Sequence, residues 1–204
     1  MSQGNSKNIQ AAKYFDDQAG AYMDRSHQGI WDAVRRKEAE TVLRAVGDPV
    51  GQSFFDLGSG AGYYASYFSA RGASSVHAVD LSAAMIESLP KGIQGTVADI
   101  TTCRLDKKFS RIVCAGALEF VDKPGAVFET AYKHAEPEAL FVVLVPHASI
   151  FGRLYAFYHK RHGLDIHLFN LGQLEALGAR AGWTVDSLQS VLPFALVAGF
   201  RKTS

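Results

Sequence analysis

The sequence predicts a doubly wound α/β fold: a mostly parallel, seven-stranded sheet finished by an antiparallel C-terminal hairpin. Two observations carry this expectation. Five short apolar runs rich in Val, Ile and Phe alternate with segments whose apolar residues recur at helical spacing, the pattern of parallel strands joined by crossover helices. The tail then breaks the alternation with two strand-like runs, Trp183 to Val191 and Phe194 to Phe200, separated only by Leu192 and Pro193.

The elements follow in order. Trp31, Val34, Val42, Leu43 and Val46 recur among charged residues, so Gln28 to Val46 reads as an amphipathic helix that Gly47 ends. The expected strands are Ser53–Leu57, Val76–Val79, Thr96–Ala98, Ile112–Ala115 and Leu140–Val145, lengths that suit buried strands. Between them, Tyr64, Tyr67 and Phe68 form one helical pattern closed by Gly72, and Met85, Ile86 and Leu89 form another after Ser82. Val127, Phe128, Ala131 and Ala135 form a third after Asp122 and Pro124. The stretch from Asp99 to Phe109 is too short for a full crossover helix. A last helix spans Leu171 to Ala181, with Asn170 as its cap and Gly182 as its stop. The six prolines all read as element boundaries.

Composition narrows the function classes. At 204 residues the chain has room for one domain, and with 48% hydrophobic residues it can bury a proper core. Lys and Arg number 21 against 20 Asp and Glu, so no global field draws it to polyanions and nucleic acid is not expected as a partner. Two cysteines, Cys103 and Cys114, make neither a disulfide framework nor a four-ligand zinc site. The longest apolar runs fall well short of the roughly 20 residues of a membrane helix, and the start MSQGNSKNIQ has no apolar signal region. A cytoplasmic protein without a stable membrane anchor is expected.

The chemistry concentrates at the first strand-to-helix turn, FFDLGSGAGYY. Gly58, Gly60 and Gly62 permit a tight turn and close approach of a ligand to backbone amides, and Asp56 lies two residues before them. Asp80 ends the next strand, 22 residues after Gly58, where a carboxylate can accept both hydroxyls of a ribose. Asp99 ends the strand after that. Ligands of open parallel sheets sit beyond the carboxyl ends of the strands, so three acids there point to a nucleoside. Dinucleotide enzymes want G-x-G-x-x-G, whereas this chain has G-x-G-x-G with Tyr63 at the last glycine's place. Gly60 and Gly62 have a purely structural use in a tight turn, and Asp99 has one as a cap.

DLGSGAG, VHAVDLS, VADI and CAGALEFV, in this order and spacing, resemble the class I S-adenosylmethionine-dependent methyltransferases of the type 11-like, small-molecule kind. The resemblance covers Phe54 to Pro146, and the terminal hairpin suits that family's Rossmann-like sheet. It implies S-adenosylmethionine as cofactor, with Gly58, Ser59, Gly60 and Gly62 at its methionine part and Asp56 at its amino group. It further implies Asp80 on the ribose, Leu81 and Ile100 around the adenine, and Asp99 on the adenine amino group. Cys114, Ala115 and Gly116 belong to the floor beside the sulfonium; Cys114 itself reads as a small core residue without chemistry. The amino-terminal KYFDDQAGAYMDR resembles the family's lid, in which Tyr14 or Tyr22 meets the cofactor, or else forms a helix face packed on the sheet. The single domain then divides into a helical lid (1–47), a cofactor-binding core (52–146) and an acceptor segment with the hairpin (147–204).

Methyl transfer is an in-line displacement, so positioning matters most and a base matters only for a protonated acceptor. His147, directly after the fifth strand, is the candidate general base, with a capping role as its bland alternative. His159 and His162 have H-x-x-H spacing, with Asp165 and His167 beyond, but Gly163 interrupts the helix and no metal is expected. Ile150 to Tyr158 is densely apolar and followed by Lys160 and Arg161, a combination that makes a hydrophobic pocket with a cationic rim, or a cover for the sheet. The first suits a small, largely apolar or aromatic acceptor carrying an acid or hydroxyl. No Asn-Pro-Pro-Tyr or Asp-Pro-Pro-Tyr stands at the fourth strand, which disfavours nucleic-acid bases as acceptors. Methyl transfer to O, N or C of a small molecule, by a monomer or homodimer, is the leading reading. Its alternatives are a catalytically silent S-adenosylmethionine-binding regulator and a dinucleotide-dependent oxidoreductase.

Overall fold

Strand β1 (Ser53–Leu57) sets the two faces of the sheet, because successive strand side chains point to opposite sides. Phe54 stacks on Phe68 with ring centroids 3.9 Å apart, and Phe55 stacks on Phe109 across the other face at 4.8 Å. Both phenylalanines are fully buried, as expected where helices cover both sides of a sheet. The computed structural model describes residues 30–161, 164–193 and 195–203.

The strands that follow are β2 (Ser75–Asp80), β3 (Gln94–Val97), β4 (Phe109–Ala115), β5 (Ala135–Pro146), β6 (Trp183–Val191) and β7 (Ala195–Lys202). Their spatial order is β3-β2-β1-β4-β5-β7-β6. The first five run parallel, and β7 lies antiparallel between β5 and β6. The helices are α1 (Ile30–Val46), α2 (Tyr63–Ala70), α3 (Ala83–Glu87), α4 (Pro124–Lys133), α5 (Ile150–Arg161) and α6 (Leu171–Arg180). Val42 and Val46 of α1 join Phe68 of α2 over one face, while Val127 and Phe128 of α4 join Leu174 of α6 over the other. The doubly wound sheet and its hairpin agree with the sequence expectation. So does the Asn170 cap, completed by Gln173 into a reciprocal capping box.

Three local expectations are corrected. Pro137 is no boundary; it lies inside β5, where Phe109 pairs with Ala135 but Arg111 pairs with Leu140. The surplus residues bulge, Glu138 takes a φ of 60°, and a residue without an N–H is tolerated there. Ala135 belongs to β5 rather than to the preceding helix. β3 ends at Val97, so Asp99 sits two residues beyond it in a turn. β7 starts at Ala195, and Phe194 lies outside the described residues. The connection from β3 to β4 carries no helix. Thr130 and His134 of α4 hold it instead: the Thr130 hydroxyl donates to the Thr101 carbonyl at 3.1 Å, and His134 Nε2 accepts from the Leu105 amide at 2.9 Å.

Candidate functional site

Backbone geometry fixes the turn after β1. The amides of Gly58 and Ser59 both donate to the Val79 carbonyl, at 2.8 and 3.1 Å, so the turn is tied to the end of β2. Gly58, Gly60 and Gly62 have φ values of 73°, 52° and 81°, the left-handed region that glycine enters without strain. Their surroundings differ. A Cβ on Gly58 would stand 2.3 Å from the Ala117 Cβ, and one on Gly62 2.5 Å from Leu89 Cδ2. A Cβ on Gly60, or on Gly116 after β4, would meet nothing within 4 Å. Two glycines of the motif thus let protein segments close on one another, whereas Gly60 and Gly116 open onto space at the carboxyl ends of β1 and β4.

The acids gather around that space. Asp80 accepts from the Gly60 amide through Oδ2 and from the Ser82 amide through Oδ1, each at 2.9 Å, so it orients both turns. Asp56 is 2% exposed, and its Oδ2 has no partner among the described residues. Burial pushes its carboxyl up to about 7, against an opposing hydrogen bond from the Ala65 amide and with a further upward push from the Asp80 charge. Asp99 closes its own turn, accepting from the Thr101 amide at 2.8 Å and its hydroxyl at 2.6 Å. Leu81 is half-buried, and Ile100 is buried beneath the glycine turn. Ala115 is half-buried beside Cys114, whose thiol burial holds well above its usual range, the state of an unreactive core residue. Tyr14 and Tyr22 lie outside the described residues.

Beyond Gly116 the chain makes one 3-10 turn, Leu118–Phe120, which the sequence reading passed over. Glu119 within it is 4% exposed, and its Oε2 has no partner among the described residues. Burial pushes it up to about 8, with a further upward push from Glu38 of α1, itself raised to about 7. A lone acid after an apolar run has no motif; the only sequence signal is its place directly after the fourth strand. His147 sits one residue past β5, half-buried, with its backbone bridged to Phe169. The His159 ring is held among rings, 4.4 Å from Tyr155 and 6.1 Å from Phe120 between centroids, and His162 lies outside the described residues. The expected pocket lining is corrected here: Ile150, Phe151, Leu154, Phe157 and Tyr158 face solvent, because only the Gly152 side of α5 turns inward.

The sequence profile of the family described as "Methyltransferase domain" matches residues 30–188. The chain belongs to that family. No curated protein matches it. Among solved structures, magnesium protoporphyrin IX methyltransferase from Synechocystis, with bound S-adenosylhomocysteine, is similar at a TM-score of 0.75 and 14% identity, over 97% of this chain and 100% of that one. The 1,6-didemethyltoxoflavin-N1-methyltransferase of Burkholderia thailandensis gives 0.75 and 18%, over 100% and 92%. A complex from Haloferax volcanii of the Trm112 methyltransferase activator and a methyltransferase gives 0.78 and 15%, over 93% and 98%.

The methyl donor of this methyltransferase is S-adenosylmethionine, which carries a sulfonium and an ammonium cation. The residues present fit such a group. A buried carboxyl with one oxygen unsatisfied, as at Asp56, gains most from an incoming cation, and Gly60 and Gly116 leave the room that a side chain would fill.

Proposed function

We propose that this methyltransferase moves the methyl group to O, N or C of a small-molecule acceptor. In this reading Asp80 takes the ribose hydroxyls, Asp56 the amino group, and Gly58, Ser59, Gly60 and Gly62 shape the methionine site. Leu81, Ile100 and Asp99 surround the adenine, and Cys114, Ala115 and Gly116 form the floor. Tyr14 and Tyr22 are assigned to the lid from the sequence alone. The observation that carries the reading is the convergence of Asp56, Asp80 and the open Gly60 and Gly116 at the carboxyl ends of β1, β2 and β4.

When bound, the cofactor supplies an electrophilic methyl carbon on a sulfonium. The protein's part is to align the acceptor's lone pair with the carbon–sulfur axis and to keep water out. A hydroxyl or amine acceptor must also lose a proton, and this reading assigns that step to His147 after β5 or Glu119 after β4. Burial raises the Glu119 carboxyl to about 8 in the free protein, and in this reading a cation in the crevice favours its charged form, which can take a proton. The rings of Phe120, Tyr155 and His159 beside it suit a flat or apolar acceptor. The neighbours named for a porphyrin and for a toxoflavin precursor, with this chain's near-zero net charge, support a small molecule.

Titration calorimetry tests the reading. S-adenosylmethionine and S-adenosylhomocysteine should bind, and Asp80→Ala should weaken both by about 10- to 100-fold, since charge-assisted hydrogen bonds contribute about 1.5–3 kcal/mol. Unchanged affinity in the variant overturns the ribose assignment. Binding without turnover across an acceptor library favours the silent regulator.

A further inference from the structure

Helix α5 carries an apolar face that the described fold leaves uncovered. Of eleven large apolar side chains exposed among the described residues, five fall within its twelve residues: Ile150, Phe151, Leu154, Phe157 and Tyr158, at 58–77% exposure. At about 100° per residue these five form one continuous stripe about 120° wide. The opposite side is the helix's inner face. Gly152 there is buried, with the His147 carbonyl 1.8 Å from where a Cβ would stand, and the His159 ring packs on Phe120. The helix is therefore oriented by its small and ring-packed residues, and the stripe is what it presents outward.

Charge says what covers the stripe. Arg153 and Lys160 lie along one flank, Arg161 stands at its end with the guanidinium 5.9 Å from the Phe157 ring centre, and α5 contains no acid. Apolar and aromatic side chains edged by cations enter the boundary between headgroups and acyl chains, while the cations meet anionic headgroups. A second copy of the chain fits less well, because two such helices laid face to face bring two sets of three cations together without a counter-charge.

We propose that α5 docks this methyltransferase onto an anionic phospholipid bilayer, with its apolar stripe in the interface and Arg153, Lys160 and Arg161 on the headgroups. Since His159 packs on Phe120, the neighbour of Glu119, docking brings the acceptor end of the crevice to the lipid surface. Vesicle binding is read without cofactor or acceptor, so its outcome is separate from that of the methyl-transfer reading.

The test is co-sedimentation of the full chain with vesicles of phosphatidylcholine alone and of phosphatidylcholine mixed with phosphatidylglycerol. The expected result is retention on the mixed vesicles, weak retention on the neutral ones, and loss of binding as salt is raised. Lys160→Glu with Arg161→Glu should lower the partition coefficient by about 30-fold or more, roughly fivefold for each cation lost. Phe151→Ser with Phe157→Ser should abolish retention. Unchanged thermal melts and S-adenosylmethionine affinity show that each variant is folded. Equal retention of variants and unaltered chain, or no retention of the unaltered chain on mixed vesicles, overturns the proposal. So does a dimer by light scattering that the paired serine variant converts to monomer, since the stripe then covers a second copy.

Discussion

Gly58 and Gly60 stand two residues apart in one motif, with similar backbone angles, yet substitution should separate them. An alanine at Gly58 adds a Cβ 2.3 Å from that of Ala117 to the cost of a positive φ, so the β1 turn must part from the β4 turn. Gly58→Ala should therefore lower stability by roughly 3 kcal/mol or more, seen in urea unfolding. Gly60→Ala meets no atom and should cost only about 1–2 kcal/mol of backbone strain while weakening S-adenosylmethionine binding in calorimetry. Equal losses of stability would refute the distinction. The G-x-G-x-G spacing is legible in the sequence, but which glycine faces a ligand is not, because that depends on Ala117 and Leu89, which the chain brings to the turn from 59 and 27 residues further on.

At the scale of elements, the β3–β4 connection shows how a missing crossover helix is replaced. The shortness of the segment is legible. What takes the helix's place is not, since it consists of contacts from α4, about 30 residues away. His134 is buried, its Nε2 accepting from Leu105 and its Nδ1 bonded to the Thr130 carbonyl at 2.7 Å, which assigns the proton to Nδ1. His134→Ala leaves the Leu105 amide without its partner and should destabilise the fold by about 1–3 kcal/mol, measured by thermal and urea denaturation. A loss below about 0.5 kcal/mol would show that the Thr130 bond and the packing of Cys103 and Leu105 hold the loop without His134. Pro137 teaches the converse: its identity says boundary, and only the register shift against β4 reveals a bulge within a strand. For α5, the density of apolar residues is legible but its direction is not. The inward side is chosen by Gly152 and His159, and periodicity alone does not distinguish a face turned in from one turned out.

For the whole molecule, Asp56, Glu38 and Glu119 make stability depend on pH in a defined direction. Burial in the fold raises their carboxyls to about 7, about 7 and about 8, from the ordinary carboxylate range near 4. The folded state therefore holds more protons than the unfolded one across this window. The stabilisation is complete below about pH 4 and is lost as pH rises through the folded values. The melting temperature of the cofactor-free protein should fall between about pH 5 and about pH 8.5, and Glu119→Gln should flatten that fall and melt higher at the upper end. A Glu119→Gln profile parallel to that of the unaltered protein would remove Glu119 from the account. A bound cation offsets the loss, so the cofactor should raise the melting temperature more at high pH than at low. The fold class and the methyl donor are legible from the order of the motifs. This proton balance is not, because it arises from the burial of acids distant in sequence and from the Glu38 charge acting on Glu119.

The place of β7 has a consequence for how the molecule is put together. Strand β6 leaves the ribosome first, yet its neighbour in the sheet is β7, which also supplies the second partner of β5. Until β7 arrives, β5 keeps an unpaired margin and β6 has no strand to pair with, so β7 acts as a keystone that seats two others in one step.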